Sequence, residues 1–520
     1  MLVALSIQPR DRLVSSTAFH LLGFLAYALV FGLIYAQSPL YTSNQNQYFL
    51  HGLAQAGVGW LERDWLANTL DPTPVFSGLI RLTYQLFITE VLFYAYYAVL
   101  MAFYLVSVLG IVRQLFGFQD RAGMFVFLAI FLLTHSAALR FFLSRTLGDE
   151  WTFLFEGGIA NQRLLGQVFQ PSTFGVFLVL SIYLFMMKKE FLAVGAQAIA
   201  VFFHPTYLLS TALLTLAYLW AMYREAGQLQ KTIRVAFLAL VLVLPMIGYV
   251  YWTFGSSPPE IAAAARDILV NIRIPHHALL ATWFNLTTVV QLALLGAALF
   301  LARQSRLFHV MLVTTGLALL LTLLQAASGN AALALLFPWR ISVILIPLAT
   351  SIIFAKLVSW GMVRFRPLSD SQHNMVLMFS LALILVLALV GITRFRLELE
   401  RKTNAPEREL MAYVAKNKAA EDLYLIPIKM QDFRLATGAP VYVEFKSIPY
   451  RDAEVLEWHR RVGQATRFYS GKAPDCTILE GMVEIEGVTQ VVLKNPIHAI
   501  CPGMVQEYED AQYAIYRVAR

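Results

Sequence analysis

The chain has 520 residues, of which 58% are hydrophobic and only 14% are charged, and its mean hydropathy is +0.62. Soluble proteins carry about 25% charged residues, so this composition excludes a soluble globular enzyme and indicates a polytopic membrane protein. The net charge of +8 does not indicate nucleic-acid binding, because most basic residues separate apolar segments, as membrane topology requires.

Long apolar segments recur along most of the chain, and each can be compared with the roughly 20 apolar residues that cross a bilayer. Residues 1–10 lack the apolar core of a signal peptide, so we expect the first span to remain as an anchor. His204-Pro205 divides one overlong segment into two shorter spans, because proline cannot continue a helix unaided. The sequence therefore predicts about eleven spans, at residues 17–35, 89–112, 122–138, 171–187, 191–203, 206–222, 233–253, 279–301, 310–324, 333–353 and 375–392.

The distribution of lysine and arginine predicts the orientation of these spans. Segments on the N-terminal side of the membrane hold more of these residues than the longer segments opposite, and the richer side is normally cytoplasmic. An odd number of spans then places the C-terminal tail outside. We therefore expect an α-helical polytopic bundle over residues 1–392, with acidic external loops at 38–88 and 140–170.

The tail, residues 393–520, is charged and alternates helical and strand patterns, which predicts a small extracytoplasmic α/β domain with its own core. Cys476 and Cys501 both lie in this tail, and outside the cytoplasm they are expected to form a disulfide; two buried free thiols are the alternative. Asp452 is predicted to cap one of the helices. Helices are expected at 409–418 and 452–462, and strands at 423–427, 440–445, 487–494 and 511–518.

The first external loop holds two carboxylates between Trp60 and Trp65. Tryptophan is typical of the membrane–water interface, whereas Glu62 and Asp64 can accept a proton or bind a metal. We favour Asp64 over Glu62 as the catalytic residue, because Asp64 adjoins Trp65 at the predicted interface. The alternative is a solvated acidic loop with interfacial anchors.

The second external loop contains the adjacent pair Asp149-Glu150. Carboxylates on the same membrane face can share a hard cation such as Mg²⁺ or Mn²⁺, which prefers oxygen ligands. They can equally be separate surface charges. Asp149 and Glu150 are therefore candidate ligands of a divalent cation.

Three further polar residues are predicted on the external side. Arg340 lies at the end of a span, and arginine suits a lipid phosphate because it binds phosphate in bidentate fashion and is weakly hydrated. A snorkelling anchor is the alternative for Arg340, and Arg163 has the same two interpretations. His204, at the proline turn, is expected to be a structural residue more often than a catalyst. Signatures of soluble enzymes, such as a phosphate-binding glycine loop, are absent.

This layout resembles the GT-C class of membrane glycosyltransferases, which use polyprenyl-phosphate-linked sugars. The similarity covers the whole chain: many spans, acidic first and second external loops, and an external α/β tail. Three stretches of the tail, at residues 432–438, 444–450 and 457–461, resemble one bacterial group of such proteins without an assigned function.

The resemblance implies roles for the candidate residues. Asp64, with Glu62 as competitor, would be the catalytic base or a metal ligand. Asp149 and Glu150 would complete an acidic or metal site, and Arg340 would pair with the lipid phosphate. Two departures are visible: the first-loop acids form Glu-Arg-Asp instead of an adjacent pair, and the tail lacks the Trp-Trp-Asp signature of oligosaccharyltransferases.

We therefore expect a glycosyltransferase that moves a sugar from a polyprenyl-phosphate-linked donor to an envelope glycan, lipid or protein acceptor at the outer face of a bacterial inner membrane. Its partners would be membrane lipid, donor and acceptor, without nucleic acid, and Mg²⁺ or Mn²⁺ is a candidate cofactor. The alternatives are a non-catalytic GT-C-like scaffold of an envelope-polysaccharide assembly and, less favoured, a transporter, because transporters place ionisable groups at mid-membrane.

Overall fold

The computed structural model shows a mostly helical chain with a small sheet in the tail. Residues 1–10, where the sequence lacks the apolar core of a signal peptide, lie outside the part of the chain that the structure describes. The described residues are 12–118, 121–225, 227–255, 257–364, 369–471 and 473–518, with side chains from residue 20 onward.

The helices of the first 150 residues are α1 (Arg12–Tyr35), α2 (Gln45–Tyr48), α3 (Leu50–Gln55), α4 (Pro74–Phe87), α5 (Val91–Phe116), α6 (Arg121–Thr134) and α7 (Ala137–Leu147). Next come α8 (Val176–Met186), α9 (Glu190–Phe203), α10 (Leu208–Arg224), α11 (Leu229–Phe254), α12 (Pro259–Asp267), α13 (Pro275–Ala278), α14 (Leu280–Trp283) and α15 (Leu286–Ala302). The last are α16 (Arg306–Ser328), α17 (Ala331–Leu335), α18 (Ser342–Arg364) and α19 (Asp370–Thr403), followed in the tail by α20 (Arg408–Asn417), α21 (Phe433–Thr437), α22 (Asp452–Tyr469) and α23 (Cys476–Gly481).

Among the described residues, six helices are long and apolar enough to cross a membrane, or seven if the bent pair α6–α7 forms one span. The other predicted spans fall on four shorter apolar helices, at His20–Tyr35 within α1, Pro171–Met186, Glu190–Phe203 and Leu286–Ala302. Length and composition therefore support six or seven of the eleven predicted spans. Several apolar helices of this kind are compatible with a membrane protein.

Helix breaks lie where the sequence disfavours continuation. α9 ends at Phe203, His204 is extended with φ −147°, and Pro205 opens a 3-10 turn before α10. The fixed φ of proline suits the first position of a helical turn, where its missing N–H would be unpaired anyway. The predicted turn at His204-Pro205 is therefore confirmed.

The apolar helices differ in how deeply they are buried. In the segment Ala331–Arg364, which contains α18, 78% of the most apolar 18-residue stretch is buried. In the corresponding stretches of α11 and α19, only 17% is buried. α18 therefore lies at the centre of the bundle. α11 and α19 turn large side chains such as Phe237 and Phe379 outward, and an exposed apolar face of this kind suits contact with lipid tails.

The tail contains a four-stranded sheet with strand order β1-β2-β4-β3. The strands are β1 (Tyr424–Leu425), β2 (Gln490–Lys494), β3 (Met504–Glu509) and β4 (Tyr513–Val518). β1 is parallel to β2, and β4 is antiparallel to both of its neighbours. Cys476 and Cys501 form a disulfide with Cα atoms 5.3 Å apart, which joins α23 to the segment before β3.

Two predictions for the tail are wrong in detail. The segment 440–445 is not a strand: only Val441 forms an isolated bridge, to Tyr424, because the N–H of Val441 donates to Asp64 instead of to a neighbouring strand. Asp452 is the first residue of α22 and not its cap, although its charge still suits the positive end of the helix dipole. The strand β3 was not predicted.

The last apolar helix also extends beyond the predicted boundary at residue 392. α19 continues to Thr403 as a charged helix whose side chains contact the first loop. Glu398 accepts a hydrogen bond from Ser38 (2.9 Å), and the Lys402 ammonium donates to the carbonyl of Leu40 (2.6 Å). The charged end of α19 is therefore attached to the first loop.

A buried group of three charges joins the first loop to the tail. The Arg434 guanidinium lies 2.7 Å from Asp64 Oδ2 and 3.3 Å from Glu444 Oε1, and all three side chains are buried. Nearby, the N–H of Trp60 donates to the carbonyl of Gly438 (2.8 Å). Because these contacts come from distant parts of the chain, they hold the tail against the bundle of apolar helices that we propose as the membrane domain.

Arg434→Met tests this attachment. The substitution leaves two buried carboxylates without their cation, which costs about 3–5 kcal/mol of unfolding free energy. We expect a clear loss of thermal stability of the purified protein in detergent, together with faster proteolysis of the tail. Glu484→Gln, which changes an exposed carboxylate of the tail, should alter stability by less than about 0.5 kcal/mol. Equal stability of the two variants would contradict the attachment.

Candidate functional site

The acidic pair of the second loop borders a small recess. Asp149 and Glu150 occupy a 3-10 turn after α7, and both are exposed. Asp149 accepts a hydrogen bond from the Ser144 hydroxyl, and Glu150 accepts one from the Asn285 amide (3.3 Å). The same recess is lined by Gln162, Arg163, Trp283 and the first turns of α15. The structure therefore places the predicted pair close to Arg163.

A tight turn presents Gln162 and Arg163 to this recess. Gly157 and Arg163 form an antiparallel bridge, and between them Ala160 and Asn161 have φ values of 58° and 54°. Alanine rarely adopts this left-handed conformation, so the turn stores strain that its surroundings must hold. The ring of His277 donates to the carbonyl of Ala160 (2.7 Å), which anchors the turn.

Four cationic side chains gather beside this turn. We call Arg163, Arg273, Arg340 and Lys446 the cationic cluster; the first three come from loops of the membrane domain and Lys446 comes from the tail. Arg273 donates to the carbonyl of Lys446, and Arg340 reaches the amide oxygen of Gln162 at 3.5 Å. The cluster therefore spans the boundary between the two parts of the molecule and adjoins the acidic recess through Gln162.

Among the described residues, the cationic cluster is not balanced by carboxylates. Within the described part of the chain, none of its four side chains forms an ion pair with a carboxylate. The carboxylates whose charge reaches it, Glu156 and Glu444, are themselves paired with Arg140 and Arg434. Two buried N–H donors of the cluster, Arg273 Nε and Arg340 Nε, find no hydrogen-bond partner in the described ranges. Unpaired buried donors on cations are costly, and an anionic ligand would satisfy them.

The electrostatics of the neighbouring side chains agree with an excess of positive charge. Burial lowers the pKa of Lys446, and the Arg273 guanidinium lowers it further, while Glu444 acts in the opposite direction. Burial and the adjacent His276 lower the pKa of His277 to about 3. His277 is therefore neutral near pH 7, and its N–H is committed to the carbonyl of Ala160.

His204 lies beside the cluster in an aromatic environment. It is 3% exposed, and its ring packs against Tyr48 and Tyr207 with centroids 5.9 and 5.4 Å away. Burial, followed by the charge of Arg340, lowers its pKa well below the ordinary value. Arg340 in turn lies 5.1 Å above the Tyr207 ring. His204 therefore supports the position of Arg340 through shared aromatic packing, as a neutral side chain.

The first-loop carboxylates lie elsewhere. Asp64 is fully buried, and its oxygens accept hydrogen bonds from Arg434 (2.7 Å) and from the N–H groups of Val441 (2.9 Å) and Leu66 (2.8 Å). A carboxylate occupied in this way has little free capacity for an acceptor proton. Glu62 is exposed and does not line the recess. The geometry therefore does not suit the catalytic role predicted for Asp64 or Glu62.

A divalent cation would find only two carboxylates at the recess. No group of three His, Cys, Asp or Glu side chains suited to a metal occurs within the described ranges. Mg²⁺ is often held by one or two carboxylates together with substrate phosphates and water. Asp149 and Glu150 therefore fit a cation that also binds a phosphorylated substrate.

Sequence reasoning did not select Arg273, His277 and Lys446 as members of the site. They lie in different segments, and no local spacing connects them with Arg163 or Arg340. The sequence indicated only that Arg273 lies on the external side, where the other site residues were predicted. Membership of Lys446 depends on how the tail docks, which no local pattern shows.

The neutral state of His277 predicts a dependence of stability on pH. In the unfolded chain this histidine gains a proton below about pH 6.5, whereas the folded chain resists protonation until about pH 3. The unfolded state binds more protons between these values, so stability falls as the pH is lowered through this range.

We therefore expect wild type to lose about 1–2 kcal/mol more than His277→Gln between pH 7 and pH 5. Thermal unfolding in detergent across this range measures the difference. The exposed His459 provides the control, because His459→Gln should leave the wild-type profile unchanged. Identical profiles for wild type and His277→Gln would contradict the assignment.

Comparison with protein families gives one match, which is confined to the tail. Residues 405–465 match a family described as "Domain of unknown function (DUF6798)". Comparison with curated proteins gives no match. The matched segment includes Arg434, Glu444 and Lys446, so the family covers the part of the tail that docks on the first loop and reaches the cationic cluster.

Proposed function

We propose that this protein is a GT-C-type glycosyltransferase that moves a sugar from a polyprenyl-phosphate-linked donor to an envelope glycan, lipid or protein acceptor. In this proposal it works at the outer face of a bacterial inner membrane, with eleven spans, a cytoplasmic N-terminus and an extracytoplasmic tail. One observation carries the proposal: the cationic cluster has no counter-ion among the residues that the structure describes, and it lies beside the acidic recess, near the ends of apolar helices.

The cationic cluster suits a lipid phosphate. Arginine binds phosphate oxygens with two parallel N–H donors, and lysine adds a point charge. Arg340 also lies in the turn that leads into α18, where the positive end of a helix dipole favours an anion. The apolar helices around the site would hold the polyprenyl chain while Arg163 and Arg340 bind its phosphate.

The same charges would assist the chemical step. As the sugar leaves, the bond between the anomeric carbon and the phosphate oxygen breaks, and its electron pair remains on the phosphate. The phosphate group thus changes from a diester to a more negative monoester. Cations that bind the monoester more strongly than the diester stabilise the transition state, and this difference accelerates the reaction.

A base must take the proton of the acceptor hydroxyl as its oxygen bonds to the anomeric carbon. We assign this role to Asp149 or Glu150, because these carboxylates face the recess next to Arg163. Their partners, Ser144 and Asn285, leave oxygen lone pairs available. A Mg²⁺ or Mn²⁺ ion held by the same pair would supply additional positive charge at the phosphate.

A second candidate function is a non-catalytic scaffold of an envelope-polysaccharide assembly. The position of Asp64 favours it, since the first-loop carboxylate that the GT-C resemblance assigns to catalysis is committed to joining the tail. A scaffold of this kind would still bind a lipid phosphate in the cationic cluster and would release no product.

Reconstituted protein distinguishes the two functions. Proteoliposomes would receive polyprenyl-phosphate-linked hexoses and pentoses together with envelope material as acceptor, and released polyprenyl phosphate would be measured. We expect Arg340→Met and the double variant Asp149→Asn/Glu150→Gln each to lower the rate about 100-fold or more, the effect of losing one preorganised charge-stabilising group.

Arg303→Met is the matched control, because this arginine stacks on Phe300 at the opposite end of the adjoining helices, away from the recess. It should retain the wild-type rate. Wild-type rates in Arg340→Met and in the double variant would contradict the proposed enzyme. Binding of polyprenyl phosphate without any release of product from wild type would favour the scaffold.

A further inference from the structure

Lys446 is the one member of the cationic cluster that the tail supplies. Its neighbours Arg163, Arg273 and Arg340 belong to loops of the membrane domain. The charge of Lys446 can therefore join theirs only while the tail is docked. The contacts that hold Lys446 therefore determine how strongly the tail affects anion binding at the cluster.

The backbone around Lys446 is held by Glu444. One carboxylate oxygen of Glu444 accepts the N–H of Lys446 (2.5 Å), and the other accepts the N–H of Ser447 (2.7 Å). On the far side, the carbonyl of Lys446 accepts a hydrogen bond from Arg273. Lys446 is thus fixed between a tail carboxylate and a member of the cluster from the membrane domain.

Glu444 is fixed in its turn by the buried charges that attach the tail. Its Oε1 lies 3.3 Å from Arg434 Nη1, and Arg434 Nε lies 2.7 Å from Asp64 of the first loop. Glu444 and Arg434 are 1% and 3% exposed. Side chains this deeply buried have few alternative conformations, so a displacement at Asp64 would be transmitted to the turn at residues 444–447.

We propose that Asp64, Arg434 and Glu444 are positioning residues that hold Lys446 in the cationic cluster and so couple docking of the tail to anion binding. The inference rests on the proposed function, because it takes the anion to be the phosphate of a polyprenyl lipid. It gives Asp64 a role at the site without contact to substrate. By linkage, bound phosphate must also stabilise the docked tail.

Affinity measurements on the purified full chain in detergent test this coupling. The ligand is a polyprenyl phosphate, and the matching polyprenol without phosphate is the control ligand. We expect Lys446→Met and Glu444→Gln each to weaken phosphate binding about tenfold, the effect of losing one charge-assisted contact. The double variant should bind no more weakly than either single variant, because Glu444 acts through Lys446.

Further variants separate positioning from general stability. Lys446→Arg keeps the cation and should restore most of the affinity. Glu444→Asp keeps the charge but is one methylene group shorter, so it should lose about tenfold as well, and it replaces Glu444→Gln if that protein does not fold. Glu484→Gln, an exposed change in the same domain, should bind as wild type. Saturating polyprenyl phosphate should slow hydrogen exchange at the amides of residues 446 and 447.

Three experimental results would contradict different parts of the proposal. Losses that multiply to about 100-fold in the double variant would show that Glu444 and Lys446 act independently and would overturn the coupling. Wild-type affinity in Lys446→Met and Glu444→Gln, with weak binding in Arg340→Met, would overturn the coupling alone. Wild-type affinity in Arg340→Met as well would overturn both the coupling and the proposed lipid-phosphate site.

Discussion

Positive charges held close together repel one another, and half-buried ones also lose part of their hydration, so the arrangement is unfavourable unless an anion is present. The cationic cluster imposes this constraint on the fold. Neighbouring carboxylates do not relieve it, because Glu156 is committed to Arg140 and Glu444 to Arg434. The surrounding structure holds the four cations near one another, and the arrangement is most readily understood if a phosphate completes it.

Three features of the fold bring these cations together. The strained turn at Ala160 and Asn161 is anchored by His277 and presents Arg163. The 3-10 turn at Pro338–Ile341 presents Arg340 at the start of α18, which belongs to the most buried of the segments long and apolar enough to cross a membrane. Docking of the tail on the first loop brings Lys446. The contact of His277 with Ala160 and the docking of the tail join segments that are distant in sequence, so the complete site exists only in the folded, docked molecule.

Much of the architecture could be predicted from the sequence. Apolar runs of the length of a bilayer identified the helical segments, and Pro205 marked the break between α9 and α10, because these features depend on local composition and on the geometry of proline. Arg340 could be selected because it lies where an apolar segment ends, and Arg163 because it lies in the polar second loop. The strand expected at 440–445 failed because its backbone binds Asp64, a partner that no local pattern indicates.

The prediction for Asp64 shows the same limit. A carboxylate between tryptophans in an external loop looks equally suited to catalysis and to an interface, and only its distant partners Arg434 and Val441 distinguish the two. These partners are contributed by the tail, whose family match carries no functional description. Arg273 and Lys446 were missed for the same reason, since their roles depend on tertiary contacts.

The central claim, that the cationic cluster binds the phosphate of a polyprenyl lipid, is tested most directly by an electron cryomicroscopy structure of the full chain in lipid nanodiscs with a polyprenyl phosphate. We expect phosphate density within hydrogen-bonding distance of Arg163, Arg340 and Lys446, with the lipid chain running between the apolar helices. Lipid phosphate bound elsewhere, with the cluster contacting only solvent, would contradict it.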